Sequence, residues 1–242
     1  VYDPGIAAST RTYERYLDAV ERHDVPLYRT LAGDEIPLAG AQVRVLAPPD
    51  GYLANGARNE NSLVLKLTYG GTSFLTTGDG EVEAERYLVE EYGDALDATV
   101  LKAGHHGSRT STSAALLDAV DPALVVVSSA YDSRYGHPHE ETLRRLAARS
   151  LPVYWTATHG DLVITMDGRT VSVATQRAAP TGPLDIRDAS PIEPGTTDPA
   201  EHRRTLDERG SPGTATPREK GSDIALTIHA DAAGDDRENL ND

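Results

Sequence analysis

Between residues 61 and 138 short polar strings repeatedly interrupt apolar runs: Asn61-Ser62, Gly78-Asp79, His105-His106-Gly107-Ser108 and Tyr135-Gly136-His137-Pro138. Each falls at the end of a segment that reads as a β-strand. In a layered α/β fold, side chains at successive strand ends converge on one rim of the sheet, so residues distant in sequence can surround one ligand. The spacing of these strings therefore constrains the fold more than composition does.

The periodicity supports that reading. Residues 12–22 place Tyr13, Tyr16, Leu17 and Val20 at helical spacing behind Ser9 and Thr10. Strands are expected at 27–30 and 42–46, and a hairpin at 62–68 and 72–76 around Gly70-Gly71. Helices at 81–92, 113–120 and 140–148 then alternate with strands at 98–103, 123–128 and 153–155, and a second hairpin spans 162–166 and 171–174. The predicted core, residues 1–175, is of the α/β (α+β layered) class. Prolines among Thr, Asp, Glu and Gly make 176–222 read as a disordered linker, with a transient helix near 199–209. Residues 223–242 read as the truncated start of another unit, opening with a strand at 224–228.

Composition narrows the chemistry. With no cysteine, a metal must be held by His, Asp or Glu. The net charge of −15 disfavours a general polyanion-binding surface. Lysine occurs only at Lys66, Lys102 and Lys220, and this Lys-poor, acidic composition suggests a surface adapted to high salt. No apolar run reaches the ~18 residues of a membrane span, and the beginning lacks a signal-like segment. Because Val1 is not Met, the sequence reads either as a chain that begins after processing or as a fragment, and the motifs below favour the fragment.

Each candidate residue has two readings. Asp79, between two glycines, is placed either to bridge metal ions or to cap the following helix. Imidazole suits both metal ligation and proton transfer, whereas a bland reading makes His105 and His106 one core and one exposed histidine. Neighbours on a strand face opposite ways, so only one of the pair is expected at the site unless the backbone leaves strand geometry. His137 precedes Pro138, which can occupy the first helical position; His139 reads as a cap or a solvated residue. Ser108, Ser111 and Ser113 suit phosphate contacts or loop caps. Lys102 and Arg109 offer charge or ion pairs, and Tyr135 either orients His137 or packs.

Together with Thr77, Leu101-Lys102, Ser128-Ser129 and Thr158-His159-Gly160, these strings resemble the carboxy-terminal half of ComEC-like (competence-nuclease) metallo-β-lactamase-fold domains across residues 1–175. The resemblance implies an αββα sandwich and a metal-dependent hydrolase of phosphodiesters, with DNA as one substrate. It also implies Asp79, His137 and His105 as metal ligands, His105 and His106 as catalytic groups, and Ser108 and Asn61 as substrate contacts. The implied cofactor is a divalent metal, Zn²⁺ with Mn²⁺ as an alternative. The family's His-x-His-x-Asp-His motif is missing, so the resemblance implies an incomplete site and an isolated chain that is inactive or nearly so. An extracellular or cell-surface location follows from the same resemblance.

A second resemblance, over residues 226–231 and 239–242, is to the opening of a lamin-tail-like β-sandwich; a disordered acidic end is its alternative. Two other functions fit the sequence: a non-catalytic scaffold built on a degenerate hydrolase half, and a metallohydrolase acting on a lactone or thioester.

Overall fold

The computed structural model describes residues 1–191, 202–207 and 223–229. Its centre is a seven-stranded sheet in which successive strands of the chain are neighbours. Strands β3 (Glu35–Leu38), β4 (Ala41–Ala47), β5 (Val64–Tyr69) and β6 (Thr72–Thr76) form an antiparallel meander. From β6 onward the pairing is parallel, through β7 (Val100–Lys102), β8 (Leu124–Val127) and β9 (Val153–Trp155). Parallel neighbours need long crossovers, and helices supply them. In chain order after α1 (Arg11–Arg22), these are α2 (Val82–Tyr92), α3 (Ala114–Val120) and α4 (Glu140–Ala147).

The two-residue period of a strand divides the core. In β8, Val125 and Val127 join Leu88, Leu116, Leu117, Leu143 and Leu146 on the helical face. Leu124 and Val126 point the other way, to Leu162, Ile164, Met166, Val171 and Val173 of a second sheet. That is why β8 reads as continuously apolar. The second sheet is antiparallel, ordered β12-β11-β10-β13, with β10 (Leu162–Met166), β11 (Thr170–Thr175), β12 (His202–Asp207) and β13 (Ile224–Ile228). Helices, central sheet and second sheet make a layered α/β architecture, as the sequence pattern predicts.

Two expectations differ from the structure. Residues 176–191 pack onto the domain: Ile186 is buried in the helical-face core, and Val153 donates its backbone N–H to the Thr181 carbonyl at 2.8 Å. Around the expected transient helix, residues 202–207 instead form a strand on the β11 edge. The segment 224–228 adds antiparallel to β10, with Ile224, Leu226 and Ile228 against the second core, so these residues extend this sheet. A strand with three alternate apolar residues can cover any exposed sheet edge, and its sequence does not specify which. The other linker residues, 192–201 and 208–222, and the tail from 230 lie outside the described residues.

At the beginning, β1 (Tyr2–Asp3) pairs in parallel with β2 (Tyr28–Arg29), and the Tyr2 and Tyr28 rings stack at 5.4 Å. The Thr10 hydroxyl caps α1 by accepting the Tyr13 N–H. Among the described residues no helix is long and apolar enough to cross a membrane.

Candidate functional site

Beyond the end of β6, Gly78 has φ +57°, and a Cβ there would lie 2.7 Å from Ser62 Cβ. A side chain could not fit, so the chain passes close to Ser62, whose hydroxyl accepts the Asp79 N–H at 3.1 Å. The Asp79 carboxylate does not cap α2. Glu60 does so from the preceding loop, accepting the N–H groups of Glu81, Glu83 and Ala84. Asp79 Oδ1 instead lies 3.6 Å from His106 Nε2.

After β7 the backbone leaves strand geometry. His105 (φ 45°) and His106 (φ 58°) are both left-handed, and Gly107 follows at φ +86°. This tight turn, Gly104–Gly107, releases the alternation that would send adjacent strand side chains to opposite faces. Both rings approach His137, whose centroid is 5.5 Å from His105 and 6.3 Å from His106. Left-handed non-glycine residues cost of order 1–3 kcal/mol each and cluster at functional sites.

The hydrogen bonds fix the ring orientations. His106 Nδ1 lies 2.7 Å from the Ser128 carbonyl, which can only accept, so Nδ1 carries the proton. In the neutral ring Nε2 is then a bare lone pair facing a carboxylate oxygen. Two acceptors face each other there, an arrangement that a cation between them would satisfy. His105 Nδ1 is held by Glu81 Oε1 at 2.8 Å, the carboxylate–histidine pairing that commonly orients metal-ligating imidazoles. Asp79 Oδ1 and His106 Nε2 could each offer a lone pair to a cation, with His105 and His137 alongside. Among the described residues no set of three such side chains is gathered closely enough to hold a metal ion.

His137 is 5% exposed. Burial first, then the neighbouring His139, His105 and His106, lower its pKa to about 4, with Asp79 opposing, so the ring is neutral at neutral pH. Tyr135 stacks on it at 5.7 Å. Arg187, in the segment expected to be linker, donates to the carbonyls of Gly136 at 3.0 Å and Pro138 at 2.6 Å and lies over the Trp155 ring. The two histidine turns touch: a Cβ on Gly107 would sit 2.6 Å from Pro138 Cβ, and His139 donates its N–H to the Gly107 carbonyl. Pro138 lies before the cap of α4 and not at its first helical position; His139 occupies the cap position. The His139 side chain does not cap, and its Nδ1 accepts the Arg109 N–H instead.

Two residues singled out as substrate contacts are turned inward. Asn61 is fully buried, and its amide bonds the Leu53 N–H and the carbonyls of Leu53 and Ala57. It locks the preceding loop, leaving no free polar group for a substrate. Ser108 is also buried; its hydroxyl pairs with Thr110 and its carbonyl accepts from Thr142. Ser111 bonds the Gly80 carbonyl, and Ser113 caps α3.

Sequence reasoning missed the supports of this loop. Glu85 is buried beneath it and accepts the N–H groups of Thr112 and Ser113. Arg145 donates to the carbonyls of Arg109, Ser111 and Thr112. The one available signal was a carboxylate among the buried residues of α2, between Ala84 and Leu88.

The fold and rim define a layered α/β domain with a histidine–carboxylate cluster at its strand ends. No family model matches the chain. Its sequence is similar to competence-type proteins. It is 33% identical over 151 residues to ComE operon protein 3 of Bacillus subtilis, a match covering 62% of this chain and 19% of that protein. It is 41% identical over 104 residues to competence protein ComA of Neisseria gonorrhoeae, covering 43% and 15%. Recombination protein 2 of Haemophilus influenzae is 34% identical over 137 residues, covering 56% and 17%. The chain thus spans under a fifth of the length of these relatives. Two of these names refer to competence or a ComE operon, and the third to recombination.

Proposed function

We propose that this chain is the carboxy-terminal part of a metallo-β-lactamase-type, metal-dependent phosphodiesterase that acts on DNA during competence-related uptake. The single observation that carries the reading is the rim itself: Asp79 facing Nε2 of His106, whose Nδ1 is held by the Ser128 carbonyl, with His105 and His137 packed beside them. Asp79 and His106 would hold a divalent ion, Zn²⁺ or Mn²⁺, with His137 and His105 next to it. Bound there, such an ion would lower the pKa of a water and polarise a phosphoryl oxygen. The chain's own groups orient and hold protons. Glu81 and the Ser128 carbonyl keep the Nδ1 protons of His105 and His106, and the buried His137, neutral at neutral pH, is placed to accept a proton from water or substrate. The competence and recombination names of the relatives support DNA as the substrate.

Because the gathered donors supply only part of a metal shell, the isolated chain is expected to bind metal weakly and turn over little or no phosphodiester. Calorimetric titration with Zn²⁺ and Mn²⁺ tests this, with Asp79→Ala and His106→Ala abolishing the weak binding. Activity should appear when a segment carrying His-x-His-x-Asp-His is supplied. A tight stoichiometric Zn²⁺ site with turnover in the isolated chain would contradict the claim of incompleteness. Metal binding unaffected by Asp79→Ala would remove the site assignment.

A further inference from the structure

His105 donates its backbone N–H to the Gly78 carbonyl at 2.9 Å, so the turn carrying Asp79 and the turn carrying the two histidines are joined directly. A second connection runs through the loop that follows. The Ser111 hydroxyl donates to the carbonyl of Gly80, next to Asp79, at 2.8 Å. The hydroxyl of its neighbour Thr112 accepts the N–H of Gly104, next to His105, at 3.0 Å. Two adjacent side chains thus reach both turns from one point. The fit leaves no slack: a Cβ on Gly104 would lie 3.1 Å from Ser111 Cβ and 2.8 Å from Thr77 Oγ1. Thr112 is fully buried and has φ 55°, a left-handed conformation that β-branched residues rarely adopt. Its N–H goes to Glu85 Oε1, its carbonyl accepts from Arg145 Nε at 3.0 Å, and its hydroxyl is on Gly104. Glycine would take this backbone without strain, but it has no hydroxyl for the buried Gly104 N–H. Strain of this kind persists where the surroundings over-determine it, and it clusters at functional sites.

We infer that Ser111 and Thr112 are positioning residues, which act through Gly80 and Gly104 to hold Asp79 Oδ1 against His106 Nε2 at 3.6 Å. The inference rests on the metal-dependent reading of that pair and adds the residues that set its spacing. Both side chains are fully buried and lie behind the rim, so they work on backbone and not on a ligand. Groups that orient metal ligands from behind govern affinity nearly as strongly as the ligands do, and small misplacements of reacting groups are costly.

The test records ring ¹⁵N–¹H correlations of His105 and His106 in the 242-residue chain, in alkaline buffer and without metal, and then titrates Mn²⁺. The parent should show both rings protonated on Nδ1, held by Glu81 and the Ser128 carbonyl. Thr112→Val keeps the branched shape and removes the acceptor; its rings should average between tautomers, and Mn²⁺ binding should weaken about tenfold. Thr112→Ser should retain the parent's spectrum and affinity. Val171→Ala, in the second core, lowers stability without touching either turn and should also leave both unchanged. Where the valine variant does not fold, Ser111→Ala, which removes only the link to Gly80, is read by the same two measurements and should show the same losses. The inference is overturned if the parent shows no Nδ1 preference, if the variant lacking the hydroxyl matches the parent, if the serine variant does not, or if Val171→Ala loses the tautomers too. The spectra need no metal, so a parent chain that binds no Mn²⁺ counts against the phosphodiesterase reading alone.

Discussion

The buried carboxylate of Glu85 accepts the backbone N–H of Ser113 at 2.8 Å, and with it that of Thr112, so a side chain of α2 holds the loop that follows the histidine turn. Glu85→Ala would leave two buried N–H groups unpartnered and should destabilise the fold by about 2–4 kcal/mol in urea unfolding. Burial raises the Glu85 pKa above 4.5, against the opposing hydrogen bonds and Arg145. For a carboxyl raised in the folded state, the unfolded chain ionises first. Its contribution is therefore full below the unfolded value and is lost as pH rises through the folded one. Glu85→Gln should remove that part of the pH dependence.

His137 works in the opposite direction. Its folded pKa, about 4, lies below the ordinary 6.5, so the unfolded chain binds more protons between these values. Stability should be full above about pH 6.5 and fall through pH 4, by about 1–2 kcal/mol after solvent screening. Proton NMR of the ring should give a midpoint near 4, and His137→Asn should flatten the stability profile over the same interval.

Asn61→Ala should cost about 2–4 kcal/mol, because it leaves the Leu53 N–H and the carbonyls of Leu53 and Ala57 without this partner. A residue that merely touched substrate would weaken binding with little effect on unfolding. Chemical denaturation beside an oligonucleotide-binding assay tells the two roles apart.

Arg187→Ala should loosen the turn that carries His137, since it removes donors to Gly136 and Pro138 and the contact over Trp155. The expected loss is about 1–2 kcal/mol. In the same variant the His137 NMR midpoint should rise as water reaches the ring.

Leu226→Asp places a charge against the second core and should unpair β13 from β10. With the β10 edge bare, the chain should self-associate, which size-exclusion chromatography at increasing concentration would register.

Much of the framework could be read from periodicity. The crossover helices, the hairpins and the wholly apolar β8 sit within one or two residues of their expected places. β3 was missed because Pro37 argues against a strand, and it is tolerated there because β3 lies at the edge of the sheet. The side chains of Asp79, His105, His106 and His137 lie close together at the strand ends, but local pattern could not show which way adjacent histidines point. That depends on two left-handed residues. Nor could it reveal Glu60 as the cap of α2 or Arg187 as the clamp on the His137 turn, because both act on backbone groups at least 21 residues away.

The left-handed backbone at His105 and His106 sets stability against function at those positions. Glycine at either would relieve the torsional penalty while deleting the imidazole, so each Gly variant should be more stable than the corresponding Ala variant. A selection for thermal robustness alone would therefore tend to erode the histidine pair, and one that also demanded function would retain it.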